Sequence, residues 1–374
     1  MAPFSMFLAL QPELQGQWHL SNTASGWIAS AYYGGYMVAV PLLASLTDRL
    51  DARTVWLGAV TCAAAGALGF GMLADSAWTA AVFQALAGAG LAGTYMPGLK
   101  VIDDRVPGAL HPRLVAFYTT SFSLGSSGSY FIVGQLVDAL PWRNAIACVA
   151  VGPVIAWALI FFGLHAVPPQ RPQEGVRAAR WREVARSSDS MRYVAAYSCH
   201  MWELFGMRAW LVPFLVFCTA IHGETFAGPT TLAALLALMG IPASFVGAEL
   251  SARFDRRRVV MAIMLMSATV GVAVGLVASH SWALIIGVAL CHHALVMGDS
   301  AALTSGLVAV SPPRSRGTAM ALYSMAGFAT ASVASLAVGG FLDLLGGQSL
   351  TSWSLAFALM VSSNLLGAAL LWKR

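Results

Sequence analysis

Apolar residues run along this chain in blocks of about twenty, separated by short clusters of Gly, Pro and charge, from residue 23 to residue 371. The blocks fall near 23–46, 54–73, 78–99, 114–137, 144–166, 193–218, 228–250, 259–279, 282–308, 317–342 and 350–371. A block of that length spans hydrocarbon as an α-helix, which satisfies its own backbone hydrogen bonds. No period-two alternation marks a membrane β-barrel. The pattern predicts eleven membrane helices, preceded by a shorter apolar stub, MAPFSMFLAL. That stub lacks a basic leader and a small-residue cleavage site, so it does not read as a signal peptide.

One block breaks the pattern. Tyr193 to Cys218 is apolar enough to cross a bilayer, yet it carries His200, Glu203 and Arg208. Ionisable groups at membrane depth are costly and mark functional sites. Trp282 to Val308 is the second exception, with His292, His293 and Asp299.

Composition agrees with the pattern. Of 374 residues, 58% are hydrophobic and 10% charged, and mean hydropathy is +0.71. These values exclude an ordinary soluble domain. The net charge of +5 reflects basic loops between spans rather than a nucleic-acid surface. With the 166–193 connection placed in the cytoplasm and the spans alternating, all but two of the 21 Lys and Arg fall on the cytoplasmic side. Arg143 is the outer exception and Arg208 the one in the membrane. That asymmetry predicts an inner-membrane, multi-pass protein with a cytoplasmic C-terminus. The five cysteines lie within apolar spans, without the spacing of a disulfide framework or a zinc site.

The chain repeats itself. Ala44 to Val55 matches Ala248 to Val259 through Leu46/Leu250, Arg49/Arg253, Asp51/Asp255 and Arg53/Arg257. One residue further out of register, Ala116 and Tyr118 match Ala321 and Tyr323, and Gly134 and Asp138 match Gly339 and Asp343. A single duplication explains both, and parallel helical repeats are a transporter architecture. Three segments follow: residues 1–166, a polar basic linker over 167–192 with a short amphipathic helix on the inner leaflet, and residues 193–374.

These features resemble the major facilitator superfamily of secondary transporters, over essentially the whole chain. That family's loop signature GxLaDRxGRKxx resembles the run from Ala44 to Arg53, with Asp48, Arg49 and Arg53 matching and Ala44 and Asp51 in place of glycines. The resemblance implies a cytoplasmic gate in which Asp48, Arg49 and Arg53 bridge the two halves; topology-setting charge alone is the plainer alternative. The fourth-helix signature RxxqGxg resembles Gln84 to Gly90, with Gln84 where the family has arginine. The antiporter signature GxxxGPxxGG matches Gly125 to Gly134 only at its ends, which argues against a drug/proton antiporter.

The resemblance further implies an all-α membrane protein of two pseudo-symmetric six-helix bundles. It makes residues 1–20 the outer half of a first helix that begins upstream of Met1. It also makes the spans beginning at Tyr193 and Trp282 the cavity-lining helices 7 and 10. At 1.5 Å per residue, Glu203, His200, His292 and Asp299 all lie about 10–15 Å into their spans. Facing pairs follow, Glu203 with His292 or His293 and His200 with Asp299, suited to carrying a proton. Each has a plainer reading as a polar packing group, and adjacent His292 and His293 cannot both face one cavity. Arg208, about 22 Å along its helix, is left three roles: holding an anionic substrate group, closing an outer gate on a carboxylate, or snorkelling to the interface. Gln84 and Tyr95, eleven residues apart and on one face, are the polar candidates of the first half.

The expected function is alternating-access transport of a small organic solute, coupled to protons, by a monomer in the bilayer. A multidrug-type exporter and a non-transporting sensor of the same fold are the alternatives. No phosphate-cradling loop, metal-ligand set or nucleophile constellation appears, so no enzyme, metal, cofactor or nucleic-acid partner is expected.

Overall fold

The computed structural model describes residues 1–106, 108, 110–169, 176–223 and 226–372. Among these residues every regular element is helical. In chain order they are α1 (Met6–Gln17), α2 (Asn22–Leu46), α3 (Ala52–Leu73), α4 (Ala77–Arg105), α5 (Leu110–Ala139), α6 (Trp142–Val149), α7 (Val151–Gly163) and α8 (Val176–Arg186). There follow α9 (Ser188–His222), α10 (Pro229–Leu238), α11 (Gly240–Arg253), α12 (Arg256–Leu276), α13 (Trp282–Gly298), α14 (Ser300–Val310), α15 (Arg316–Leu344) and α16 (Leu350–Trp372). Among the described residues nine spans are long and apolar enough to cross a membrane, with α6–α7, α10–α11 and α13–α14 each counting as one. The helices α4 and α5 are also long enough, at 29 and 30 residues, but carry more polar side chains.

Three of the expected spans are therefore broken. Proline causes two of the breaks: Pro153 has no N–H for the carbonyl of Val149, where α6 stops, and Pro242 has none for Leu238, where α10 stops. The third falls at Asp299, beside Gly298, with no proline nearby. Gly247 of α11 packs directly on the Gly298 backbone there.

The core runs around α9, which packs against α1, α14, α15 and α16. The two halves meet along α2 with α15 and along α5 with α10. These are equivalent pairs under the duplication, and two matched glycines make both possible. Gly339 lies against the backbone of Asn22 at the start of α2, and Gly134 against Thr230 at the start of α10, so a side chain at either glycine would collide with the facing helix.

The amphipathic helix expected in the linker is α8. It docks on α9 and α15 instead of lying free on a leaflet: Val184 is buried with Tyr193 and Tyr323, and Glu183 pairs with Arg314 at 2.6 Å.

Candidate functional site

A cavity of about 600 Å³ lies between the halves. Tyr36, Tyr95, Met96, Phe122 and Ser123 wall it on one side, and α9, α11, α14 and α15 on the other. It extends toward the end that carries the basic loops, with Ala248, Val308 and Met320 at that mouth. At the opposite end the halves are clamped. Asp343 on α15 accepts hydrogen bonds from the backbone N–H and side-chain Nδ2 of Asn22, at 3.1 and 2.8 Å, and from the N–H and hydroxyl of Thr23, at 2.8 and 2.6 Å. An anion placed there also meets the positive end of the α2 dipole. Ser30 and Ser332 add a contact of 2.8 Å about two turns further along α2.

Helical geometry separates the ionisable groups of α9. At about 100° per residue, the cavity-facing residues Tyr197, His200, Met201, Leu204, Phe205 and Arg208 form one arc. His200 is at one edge and Arg208 near the middle. Glu203 lies beyond the His200 edge and points into the packed second half.

His200 Nδ1 approaches Asp299 Oδ1 at 2.8 Å, both side chains at most 3% exposed. The approach is out of line for an N–H···O bond, and it becomes an ion pair when His200 is protonated. Asp299 sits at the break between α13 and α14, and irregular backbone at membrane depth is tolerated where it faces protein or a cavity. The His200 ring stacks on Tyr197, which stacks on Tyr323 with centroids 3.6 Å apart, and the Tyr323 hydroxyl lies 3.1 Å from that of Thr304.

Glu203 does not line the cavity. Its Oε1 accepts from Ser267 Oγ at 2.7 Å and lies 3.1 Å from His292 Nε2, and its Oε2 accepts from Asn364 Nδ2 at 2.7 Å. Three helices, α12, α13 and α16, thus contribute to one buried carboxylate. The two pairings placed by depth are both present, Glu203–His292 and His200–Asp299; His293 is buried, its Nε2 has no partner among the described residues, and it is not on the cavity wall. Ser267 and Asn364 escape sequence inspection, because a lone Ser or Asn in an apolar span carries no periodic signal.

Arg208 is 2% exposed, so snorkelling to the interface is ruled out. Its guanidinium lies 5.3 Å from the Phe205 ring centroid and 5.9 Å from those of Phe4 and Phe122. Its Nη2 reaches only the Met297 sulfur, at 4.0 Å, and Nε and Nη1 have no partner among the described residues. Cation–π contacts of about 0.5–2 kcal/mol each leave much of the burial cost uncompensated. The hydroxyl of Tyr130 donates to the Arg208 carbonyl at 2.9 Å and holds that turn in place.

Two first-half expectations change. Tyr95 lines the cavity, but Gln84 does not. It shares Tyr95's face yet lies about 16 Å nearer the clamped end, where it is buried and Gly88, one turn on, packs on the Tyr32 backbone of its own half. At the basic end, Arg53 does not bridge the halves: it donates to the carbonyls of Ile160 and Phe161 at 3.4 and 2.6 Å, within its own half. Arg49 is exposed, and Asp48 sits in the turn after α2. The residue in the glycine position of the signature, Asp51, is the organising acid. It caps α3 and accepts from Arg105 at 2.9 and 3.0 Å, from Arg53 N–H at 3.0 Å and from Val167 N–H at 3.0 Å. Burial pushes its carboxyl up, but these donors outweigh that and hold it below the ordinary 3.8.

Two broken half-helices around a midplane cavity shared by duplicated halves are a transporter arrangement. Residues 1–233 match the profile of the Major Facilitator Superfamily. The chain belongs to that superfamily. Its relatives include the "Probable sphingolipid transporter spinster homolog 1" of Arabidopsis thaliana, 27% identical over 165 residues. That match covers 42% of this chain, and the chain spans only 31% of that protein's length. The "Uncharacterized transporter YycB" of Bacillus subtilis (strain 168) is 24% identical over 95% of this chain and 86% of its own. Among solved structures, the crystal structure of a bacterial homolog to the human lysosomal transporter Spinster, in an inward-facing and occupied conformation, superposes with a TM-score of 0.78 at 15% identity. It covers 99% of this chain and 92% of that one. This member of the superfamily is a multi-pass membrane protein with the superfamily's all-α fold.

Proposed function

We propose that this major facilitator carries a small organic solute by alternating access and couples that movement to protons through His200 and Asp299. Residues 1–166 and 193–374 rock as two bodies joined by 167–192, in a bacterial-type inner membrane with the basic loops and the C-terminus in the cytoplasm. The cavity open toward the basic loops and the clamp at Asp343 then describe an inward-facing state.

The observation that carries the coupling is the His200–Asp299 contact. It is buried, sits at a helix break on the cavity's edge, and becomes an ion pair when His200 is protonated. Gaining or losing a proton there changes an attraction that links α9 to the α13–α14 break. Glu203 and His292 lie behind it, and with partners from three helices on the carboxyl group they serve as the fixed polar contact against which α9 is registered.

In proteoliposomes, His200→Gln and Asp299→Asn are expected to abolish solute accumulation driven by a pH gradient while leaving solute counterflow intact. An unchanged pH dependence in both variants would refute the coupling.

An apolar groove of about 570 Å³ beside α10, α11 and α13 shares Ile241 with the cavity wall. It favours a second reading suggested by the plant relative's name, an amphiphile whose alkyl chain lies in that groove. A long-chain sphingoid base and its phosphate belong in the same flux assay.

A further inference from the structure

The cationic group at the deep, clamped end of the cavity has no counter-charge among the described residues, and rocking the halves brings it none of theirs. Arg208 is the one Lys or Arg among the described residues of the cavity wall, and no carboxylate oxygen lies within ion-pair distance of it among the described residues. The acids of the first half are Glu13, Asp48, Asp51, Asp75, Asp103, Asp104 and Asp138. All of them lie in loops or within about a turn of a helix end, away from Arg208's depth. Rocking the halves therefore brings none of these acids across to close a gate on Arg208. In the second half, Glu203 is held by Ser267, His292 and Asn364, and Asp299 by His200.

We infer that the missing charge is the substrate's: the cavity binds a monocarboxylate with an aromatic or compact apolar body, its carboxylate taken by the Arg208 fork. This rests on the transport reading above. The guanidinium offers Nε, Nη1 and an almost unengaged Nη2, enough for a two-point contact with a planar carboxylate. One permanent cation balances one negative charge, so a monoanion fits where a phosphate monoester dianion leaves a charge uncompensated. The side chains of Phe122, Phe205, Phe328, Tyr36 and Tyr197 wall much of the rest of the volume, an aromatic lining that suits a compact apolar or aromatic body. Hydroxyls at Ser123, Ser244 and Ser300 are available to further polar groups.

The test is calorimetric titration of the purified protein in nanodiscs with benzoate, 2-naphthoate, benzamide, benzylamine and phenyl phosphate. Expected is binding of the two carboxylates, with the amide and the amine at least about tenfold weaker, and phenyl phosphate weaker than benzoate. Arg208→Gln should lose about tenfold or more in naphthoate affinity, and Arg208→Lys should fall between, since an ammonium keeps the charge but not the fork. Benzamide binding as tightly as benzoate to the unaltered protein would overturn the inference without recourse to any variant. So would naphthoate affinity unchanged in a monodisperse Arg208→Gln protein. Flux of a neutral solute that Arg208→Gln leaves intact would remove the anion assignment and leave the transport reading standing. Arg208-dependent naphthoate binding without flux in proteoliposomes would support the anion site and remove the transport reading.

Discussion

Glu203 and His200 are less than one turn apart on α9 and meet different surroundings. Three residues of helix rotate a side chain by about 300°, which leaves the two about 60° apart, enough to put one on the cavity and the other in the packed interior. Glu203→Gln replaces an acceptor of three hydrogen bonds by an amide whose N–H₂ faces donors. Breaking such a buried set costs about 3–5 kcal/mol. The expected outcome is a marked drop in thermal stability in detergent, with the pH profile of any residual transport unchanged. A shifted pH profile at full stability would instead move the coupling role onto Glu203. Asp51 allows a second residue-scale prediction. Its folded-state carboxyl is held below 3.8, so the stability it contributes is complete above that value and is lost as pH falls through the depressed one. Asp51→Ala should cost about 1 kcal/mol from the lost helix cap at pH 7. The difference from the unaltered protein should be constant between pH 5 and 8 and shrink below pH 4, as read in melting curves.

Among the elements, the contact of α2 with α15 decides which end of the cavity is shut. Asp343 receives four hydrogen bonds from the first turn of α2, and their loss in Asp343→Asn should cost on the order of 2 kcal/mol. If the clamp holds only the state seen here, the open-to-closed ratio at that end rises roughly thirtyfold. A cysteine at Ser30 should then react faster with a membrane-impermeant maleimide added from the outside. Equal rates with and without the Asp343→Asn change would show that the clamp does not set the equilibrium. Asp138 matches Asp343 in the repeat, yet α10, the helix facing it, begins at Gly228 with no side-chain cap. The duplication placed two acids alike, and only the α2 side uses its acid as a clamp among the described residues.

At the scale of the molecule, the orientation proposed above rests on the basic loops. Trypsin should cut within the arginine-rich stretch between Pro168 and Arg192 in inside-out vesicles and leave it intact in right-side-out cells. The reverse pattern would invert every assignment of inside and outside made above.

Much of this was legible before any fold. The all-α membrane class, the duplication and the depth of the buried charges come from local properties: apolar length, loop charge and a rise of 1.5 Å per residue. Depth alone brought Glu203 level with His292 and His293, and His200 level with Asp299, because two antiparallel helices in one slab put equal depths side by side; the fold chose His292. Rotation about each helix axis was not legible, since no local property says which arc faces the partner half. That angle put Arg208 mid-arc on the cavity wall, turned Glu203 away from it and left Gln84 buried off the cavity. It was also the tertiary structure that moved the role of the loop signature to Asp51 and gave Asp343 its clamp, because the donors for each come from segments distant in the chain. Sequence by itself determined how deep each charge lies. Only the packed fold decided what each one faces.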